Sequence, residues 1–165
     1  RTCPAWLAEL FSSPIAMASV TAVLLTLLFR IGIASHQVIE WEMSKFPDRL
    51  AAFLEENGEA WGARREVVHR VLFTVEELLQ LIEIEQLATG KIRLDVGFEE
   101  FNMTAKVSYM GNAPVLPTAR PSEEELIADE GAVGKLSGFL VRRYARRIQV
   151  EQKNGMCHVE FSFEH

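Results

Sequence analysis

Two adjacent glutamates, Glu76 and Glu77, could support acid–base chemistry; they lie in the middle of the segment 61–87. A carboxylate acts as a general base only where a pocket holds water or substrate within hydrogen-bonding reach. The alternative is a solvated helix glutamate that pairs with a nearby basic residue. The sequence favours this second interpretation for Glu77.

A glycine-bearing stretch at 131–138, GAVGKLSG, is the second candidate. It places Gly131, Gly134 and Lys135 at the start of a predicted helix. Backbone N–H groups at a helix N-terminus can bind an anion such as phosphate. The stretch therefore predicts an anion site, provided that its amides are not used otherwise.

The densest basic cluster of the chain follows this stretch, and it consists of Arg142, Arg143, Arg146 and Arg147. Near an anionic membrane each such residue contributes about 1 kcal/mol of attraction. An acidic protein would be attracted in the same way, and cations also complement the dipole at a helix C-terminus. Three interpretations stay open here: a membrane face, an acidic protein partner and helix capping.

Cysteine, histidine and charge patterns exclude several classes of protein. The two cysteines, Cys3 and Cys157, lie near opposite ends, which favours a reducing compartment, and no histidine shows ligand spacing, so we expect no metal site. The whole chain has a net charge of −6. The first 35 residues carry +1, so the remaining residues carry −7. We do not expect so acidic a domain to bind nucleic acid.

Hydrophobic periodicity predicts the helices that would position these residues. The segment 61–87 shows the i, i+3, i+4, i+7 spacing of a helix with one buried face. That face comprises Val67, Val68, Val71, Leu72, Val75, Leu78, Leu79 and Ile82. A shorter helix is expected from Asp48 to Asn57-Gly58, after a helical connector at 33–45.

Alternating apolar residues predict two pairs of strands. One pair is expected at 91–98 and 103–109, and the other at 148–151 and 156–163, with a turn at Asn154-Gly155. A proline-containing loop at 111–122 and a helix from Val133 to Arg147 separate the pairs. The expected buried face of that helix is Leu136, Phe139, Leu140 and Tyr144. Helices on one face of an antiparallel-rich sheet make a two-layer α+β sandwich.

Twenty residues without a charge, 10–29, precede this domain. Such a length can cross a bilayer core of about 30 Å. Ala18, Ala22 and Thr26 recur at every fourth position, which would let a neighbouring membrane helix approach closely. We predict one transmembrane helix with the following residues on the cytoplasmic side; a buried helix of a soluble core is the alternative.

From residue 64 to 164 the order of elements resembles the GHKL ATPase fold of histidine kinases and anti-sigma-factor kinases. That family carries Glu-x-x-x-Asn on its long helix, and the corresponding residues here are Glu77 and Leu81. Its Asp-x-Gly, which reads adenine, corresponds to Tyr109 and Gly111. The stretch 131–138 corresponds to the lid that wraps the phosphates.

The departures from the family pattern imply a domain without catalysis. A leucine cannot supply the oxygen ligand that magnesium requires, and a tyrosine replaces the adenine-reading carboxylate. We expect no cofactor, although the resemblance allows ATP binding without magnesium at Glu77, Gly111, Gly131, Gly134 and Lys135. A membrane-tethered GHKL ATPase or anti-sigma-type serine kinase is the alternative. A module that senses another ligand between the 111–130 loop and the sheet is a third hypothesis.

The stretch 13–32, SPIAMASVTAVLLTLLFRIG, looks like the final transmembrane helix of xanthine/uracil permeases, the nucleobase–cation symporters, some of which continue into a GHKL-like tail. This resemblance implies a last span at 1–35, a connector with a short helix at 36–60 and a GHKL-like domain at 61–165. It implies a regulatory or assembly domain of a transporter in the inner membrane, with 36–165 in the cytoplasm. The expected partners are the rest of the transporter chain, the bilayer around 10–29 and, in a homodimer, a second copy.

Overall fold

A computed structural model of the 165-residue chain describes residues 13–30, 35–43, 49–99, 102–129 and 131–164. Chain contacts divide it into two compact units, Arg1–Ile33 and Ala34–His165. Parts of the sequence predictions lie outside the described residues, namely Cys3, Asp48, residues 10–12 of the predicted span, and residues 33–34 and 44–45 of the predicted connector.

The first unit contains helix α1, Pro14–Arg30, of 17 residues. It begins at a proline because the fixed φ of proline suits the first helical position. At about 1.5 Å per residue, α1 is shorter than a hydrocarbon core of about 30 Å. Within the described ranges, no helix is both long and apolar enough to cross a membrane. The predicted transmembrane helix is therefore not confirmed.

The second unit is built on a five-stranded antiparallel sheet in the order β1-β2-β3-β5-β4. Its strands are β1 Ser35–Glu42, β2 Ala88–Glu99, β3 Asn102–Gly111, β4 Arg147–Lys153 and β5 Met156–Glu164. The predicted hairpins β2-β3 and β4-β5 are confirmed. Asn154 and Gly155 turn the second hairpin with φ of 53° and 76°, as a two-residue turn requires.

Strand β1 occupies residues 35–42, inside the segment 33–45 that was predicted to be a helical connector, so that prediction is wrong for the described part of the segment. β1 pairs with β2, where Ile39 lies opposite Leu94 and Trp41 lies opposite Ile92. Ile39 and Trp41 are half-buried, whereas Glu40 between them is exposed. This period of two is the signal of a strand, and the sequence prediction missed it.

Four helices accompany the sheet: α2 Leu50–Trp61, α3 Arg65–Ile84, α4 Glu123–Ala128 and α5 Gly131–Tyr144. The predicted end of α2 at Asn57-Gly58 is wrong, because the helix continues to Gly62, which has a φ of 70°. Gly58 serves packing instead: a β-carbon there would lie 2.5 Å from Val68 Cγ2. A glycine inside a helix can thus mark a close contact and not an end.

Helix α3 supplies the largest share of the core, as the periodicity predicts. Val71, Val75, Leu78 and Ile82 are buried, and so are Thr74 and Leu81 outside the predicted stripe. They pack with the inward residues of the sheet, which include Ile92, Leu94, Val96, Ala105, Val107, Val159 and Phe161. The other face of the sheet carries polar residues such as Arg93 and Lys106. The α+β architecture is therefore confirmed.

The buried face of α5 differs from the predicted one. Ala132, Gly134, Ser137, Gly138 and Val141 are its buried residues. The large residues of the predicted face are only partly covered, and Tyr144 is 41 % exposed. The reason is distance: small residues let α5 approach α3 and the 112–117 loop closely, so large side chains lie beside the contact.

Candidate functional site

Leu81, which the GHKL resemblance aligns with the magnesium-binding Asn of that family, has a fully buried side chain. Gly138 of α5 faces it. A β-carbon on Gly138 would lie 3.4 Å from Leu81 Cδ2 and 2.8 Å from the carbonyl oxygen of Val115. Helices α3 and α5 and the 112–117 loop thus meet here in a close contact.

Gly111, which the GHKL resemblance aligns with the glycine of the adenine motif, has a structural reason to be a glycine. Its φ is 148°, and a β-carbon would lie 1.8 Å from the carbonyl oxygen of Leu87. Its N–H donates to the Gly155 carbonyl oxygen at 2.9 Å, and the next amide, of Asn112, donates to the Leu87 oxygen at 2.9 Å. Gly111 therefore joins the end of β3 to the segment that follows α3.

Tyr109, at the adenine-reading position, points into the core and is 1 % exposed. Its hydroxyl donates to the Asn112 carbonyl oxygen at 2.9 Å. Burial raises the pKa of Tyr109, and its hydrogen bond with the Cys157 thiol raises it further. The side chain is a neutral donor that fixes the start of the loop, and it offers no carboxylate to an adenine.

The start of α5 already has an anion of its own. The Asp129 carboxylate accepts a hydrogen bond from the Gly131 N–H at 2.9 Å. The same carboxylate forms an ion pair with Lys135 at 3.6 Å. Two groups that were predicted to attract a phosphate are therefore bound to Asp129, which complements the positive end of the helix.

Gly134, the third lid residue, faces the end of α3. A β-carbon there would lie 3.4 Å from Ile84 Cγ2 and 3.4 Å from Glu85 Oε1, which are ordinary contact distances. The predicted nucleotide residues Gly111 and Gly134 thus both lie near the C-terminal end of α3. What they contact there is protein.

Glu76 and Glu77 are both half-buried. Burial raises the pKa of Glu76, and the neighbouring charge of Glu77 raises it further. The side chain of Glu77 has no ion pair with the described part of the chain, so the predicted basic partner is not seen there. Among the described residues, no group of three or more Asp, Glu, His or Cys could hold a metal ion.

The basic cluster is divided between two elements, and two of its residues, Arg142 and Arg146, line a cavity. Arg142 and Arg143 lie in the last turn of α5, Arg146 follows the helix, and Arg147 begins β4. Arg146 forms an ion pair with Glu164. A cavity of 420 Å³ lies beside β4 and is lined by Pro114, Leu116, Arg142, Ala145, Arg146, Ile148 and Val150. We call it the β4 groove.

The outer face of the sheet holds a pair of residues that sequence reasoning missed. Ser108 and His158 lie opposite each other on β3 and β5, with 2.8 Å between Oγ and Nδ1. A shallow cavity of 550 Å³ contains both of them, with Arg93 beside. The sequence signal that could have identified this pair is its position on the outward side of two strands in which apolar and polar residues alternate. A hydroxyl and an imidazole can form a nucleophile–base pair, but no described acidic group contacts the imidazole to orient it.

No family model and no curated protein matches this chain. Among solved structures, it is similar to the Acinetobacter baumannii histidine kinase AdeS, with 10% sequence identity and a TM-score of 0.40. The alignment covers 99% of this chain and 86% of that chain. A likeness at this level carries no argument about function, and none of these comparisons supports the permease resemblance.

Proposed function

We propose that residues 35–165 form a GHKL-like module without catalysis, which serves as a regulatory or assembly domain. The contact of Gly138 with Leu81 and Val115 carries this proposal. In the GHKL resemblance, Leu81 occupies the magnesium position and 131–138 the lid over the phosphates. A lid that is a helix packed on that leucine leaves neither a metal ligand nor space for the phosphates.

Two further observations support the same proposal. Asp129 neutralises Lys135 and occupies the Gly131 amide, so the anion site is satisfied from within. The Tyr109 hydroxyl donates a hydrogen bond to the carbonyl oxygen of Asn112 in the loop, so nothing at that position selects adenine. Each of the three functions of the family motif (metal, phosphate and base) is therefore replaced by a contact within the chain.

The test is phosphate release by the 165-residue chain in the presence of magnesium and ATP. We expect no release above that of a Glu77→Gln variant, because no group positions water and metal together. Release by the native chain that the Glu77→Gln variant loses would contradict the proposal. It would favour the alternative, a GHKL ATPase or an anti-sigma-type serine kinase.

The finer proposal is that this module regulates a nucleobase transporter in the inner membrane. Its support is the charge-free sequence of residues 10–29 and the apolar surface of α1, where Ile15 is 81 % and Leu24 is 59 % exposed. Alkaline extraction of bacterial membranes tests it. We expect the chain to remain with the membrane and a Leu24→Arg variant to be released, because arginine at a span centre costs about 3 kcal/mol.

A Val133→Arg variant is the control for that extraction. Val133 lies on α5 and is 38 % exposed. If it is released as readily as the Leu24→Arg variant, retention depends on general surface apolarity, and the transporter proposal is wrong. Release of the native chain would contradict it as well.

A further inference from the structure

The exposed edge of β4 combines three features that together define a binding surface. β4 ends the sheet, so one side of its backbone has no neighbouring strand among the described residues. The β4 groove, 420 Å³ in volume, runs beside it. Basic residues lie beside both the strand edge and the groove. We propose that an extended acidic segment of a partner protein binds here as a sixth strand.

The backbone of an edge strand is the first feature. Its outward N–H and C=O groups form a template to which an extended peptide can add through main-chain hydrogen bonds. β4 offers seven residues, and its turn and register with β5 are regular throughout. A peptide strand added to β4 would place alternate side chains on the two faces of the sheet.

The β4 groove gives one face of such a peptide an apolar site. Ile148 and Val150 point to the helix side of β4, and with Pro114, Leu116 and Ala145 they form the apolar lining. Val150 is 39 % exposed, so apolar area remains to be covered. Alternate residues of the peptide should therefore be apolar.

The charge of the β4 edge determines which residues we expect at the other positions of the bound peptide. Four cations border the strand, because Arg142 and Arg146 line the groove and Arg147 and Lys153 are the end residues of β4. The carboxylates of this hairpin are Glu151, Glu160 and Glu164. Arg147 and Lys153 have no ion pair with described residues. In a domain that carries −7 overall, this edge selects for acidic residues.

The same charges disfavour a second copy that pairs with all seven residues of β4. In a two-fold pairing of β4 with β4 centred on Val150, Arg147 of one copy would lie opposite Lys153 of the other. Like charges directly opposite each other destabilise a strand pair. An acidic segment from a different protein has no such conflict. This inference deepens the proposed assembly role by naming the partner, and it rests on that role.

The probe is a synthetic peptide as long as β4 in which glutamate and valine alternate, added to the isotope-labelled 165-residue chain. We expect amide shifts in β4, in the 112–117 loop and at the end of α5, and an affinity that falls as salt is raised. A peptide with lysine in place of glutamate should not bind. Equal binding of the two peptides, or shifts only elsewhere, would overturn the proposal.

Substitutions at the β4 edge and on the opposite edge strand test where the peptide binds. Arg142→Glu combined with Arg147→Glu should weaken binding about tenfold or more, since attraction becomes repulsion. Val150→Asp should also abolish it, whereas Val38→Asp on the opposite edge strand should not; Val38 is 40 % exposed, so the two variants are matched. Equal effects of the Val150 and Val38 variants would contradict the proposal.

Two additional measurements separate the outcomes. Sedimentation of the chain alone should show no concentration-dependent association through β4; association that Val150→Asp removes would make a second copy the occupant and overturn the proposal. Phosphate release with magnesium and ATP is measured on the same samples. Turnover would contradict the proposed function, whereas absent peptide binding without turnover would contradict this inference alone.

Discussion

Gly138 lies against Leu81 and the loop: a β-carbon added to Gly138 would be at contact distance from Leu81 Cδ2, 3.4 Å, and too close to the Val115 carbonyl oxygen, 2.8 Å. Leu81 is fully buried on α3, and Gly138 is buried on α5. The contact explains why residue 81 is apolar and why residue 138 is small. A polar side chain at 81 would be buried without a partner, and a larger residue at 138 would push α5 away from α3 and the loop.

Replacing Leu81 by the family residue tests this contact directly. Leu81→Asn should lower the free energy of unfolding by about 2–5 kcal/mol, since it removes buried apolar volume and leaves an unsatisfied amide. It should not create ATP turnover. Leu81→Met is the control and should cost less than about 1.5 kcal/mol. Denaturant unfolding measures both, and equal stability of the two variants would show that the site is open to water.

The glycines of the 131–138 stretch should respond differently to alanine. Gly138→Ala should destabilise by about 1–3 kcal/mol, because the new methyl group would meet the Val115 carbonyl oxygen at 2.8 Å. Gly134→Ala meets only ordinary contacts, so it should stabilise by about 0.5–1 kcal/mol through helix propensity. Thermal unfolding compares them. A flexible phosphate lid would show no such difference between the two positions.

Gly111 should tolerate no side chain. Gly111→Ala places a methyl group 1.8 Å from the Leu87 carbonyl oxygen, so β3 or the segment after α3 must move, and we expect a loss of about 3 kcal/mol or more. Gly90→Ala is the matched control, since Gly90 has a φ of 79° but open space around it. It should cost only about 1 kcal/mol. Similar losses in denaturant unfolding would mean that the close approach at Gly111 is absent.

The raised pKa of Glu76 gives a stability effect that depends on pH. Burial, and then the charge of Glu77, raise the folded-state pKa above the ordinary value of 4.5. Between 4.5 and the folded pKa the folded state binds more protons than the unfolded state, so stability falls as pH rises through this window. Glu76→Gln should therefore stabilise the protein at neutral pH.

The stabilising effect of Glu76→Gln should shrink below pH 4.5, where both states of the native chain are protonated. Unfolding at a series of pH values measures it. Glu83→Gln, at an exposed position of the same helix, is the control and should change stability by less than about 0.5 kcal/mol. A stabilisation by Glu76→Gln that is independent of pH would contradict the assigned cause.

Periodicity was sufficient to predict the elements that bury one regular face. Val71, Val75, Leu78 and Ile82 of α3 and the alternating residues of β2, β3 and β5 are buried as expected. It failed where burial depends on a third element. Thr74 and Leu81 are buried because α3 is covered from more than one side, and α5 buries its small residues because backbones, not side chains, determine that contact.

The candidate site could be predicted only in part, for a physical reason. From the sequence, the GHKL resemblance predicts that Leu81 stands where that family has its magnesium ligand. The replacement contacts are not visible in the sequence, since the ion pair of Asp129 with Lys135 and the approach of Gly138 depend on how the loop and α5 fold back on α3. The β4 groove was likewise invisible, although four of the arginines around it were recognised as a cluster.

Calorimetric titration of the 165-residue chain with ATP, with and without magnesium, tests the central claim most directly. We predict no magnesium-dependent binding, because Leu81 supplies no ligand and Gly138 closes the space above it. Magnesium-dependent binding that disappears in a Glu77→Ala variant would contradict the account. It would show that α5 moves away from α3 to admit a nucleotide.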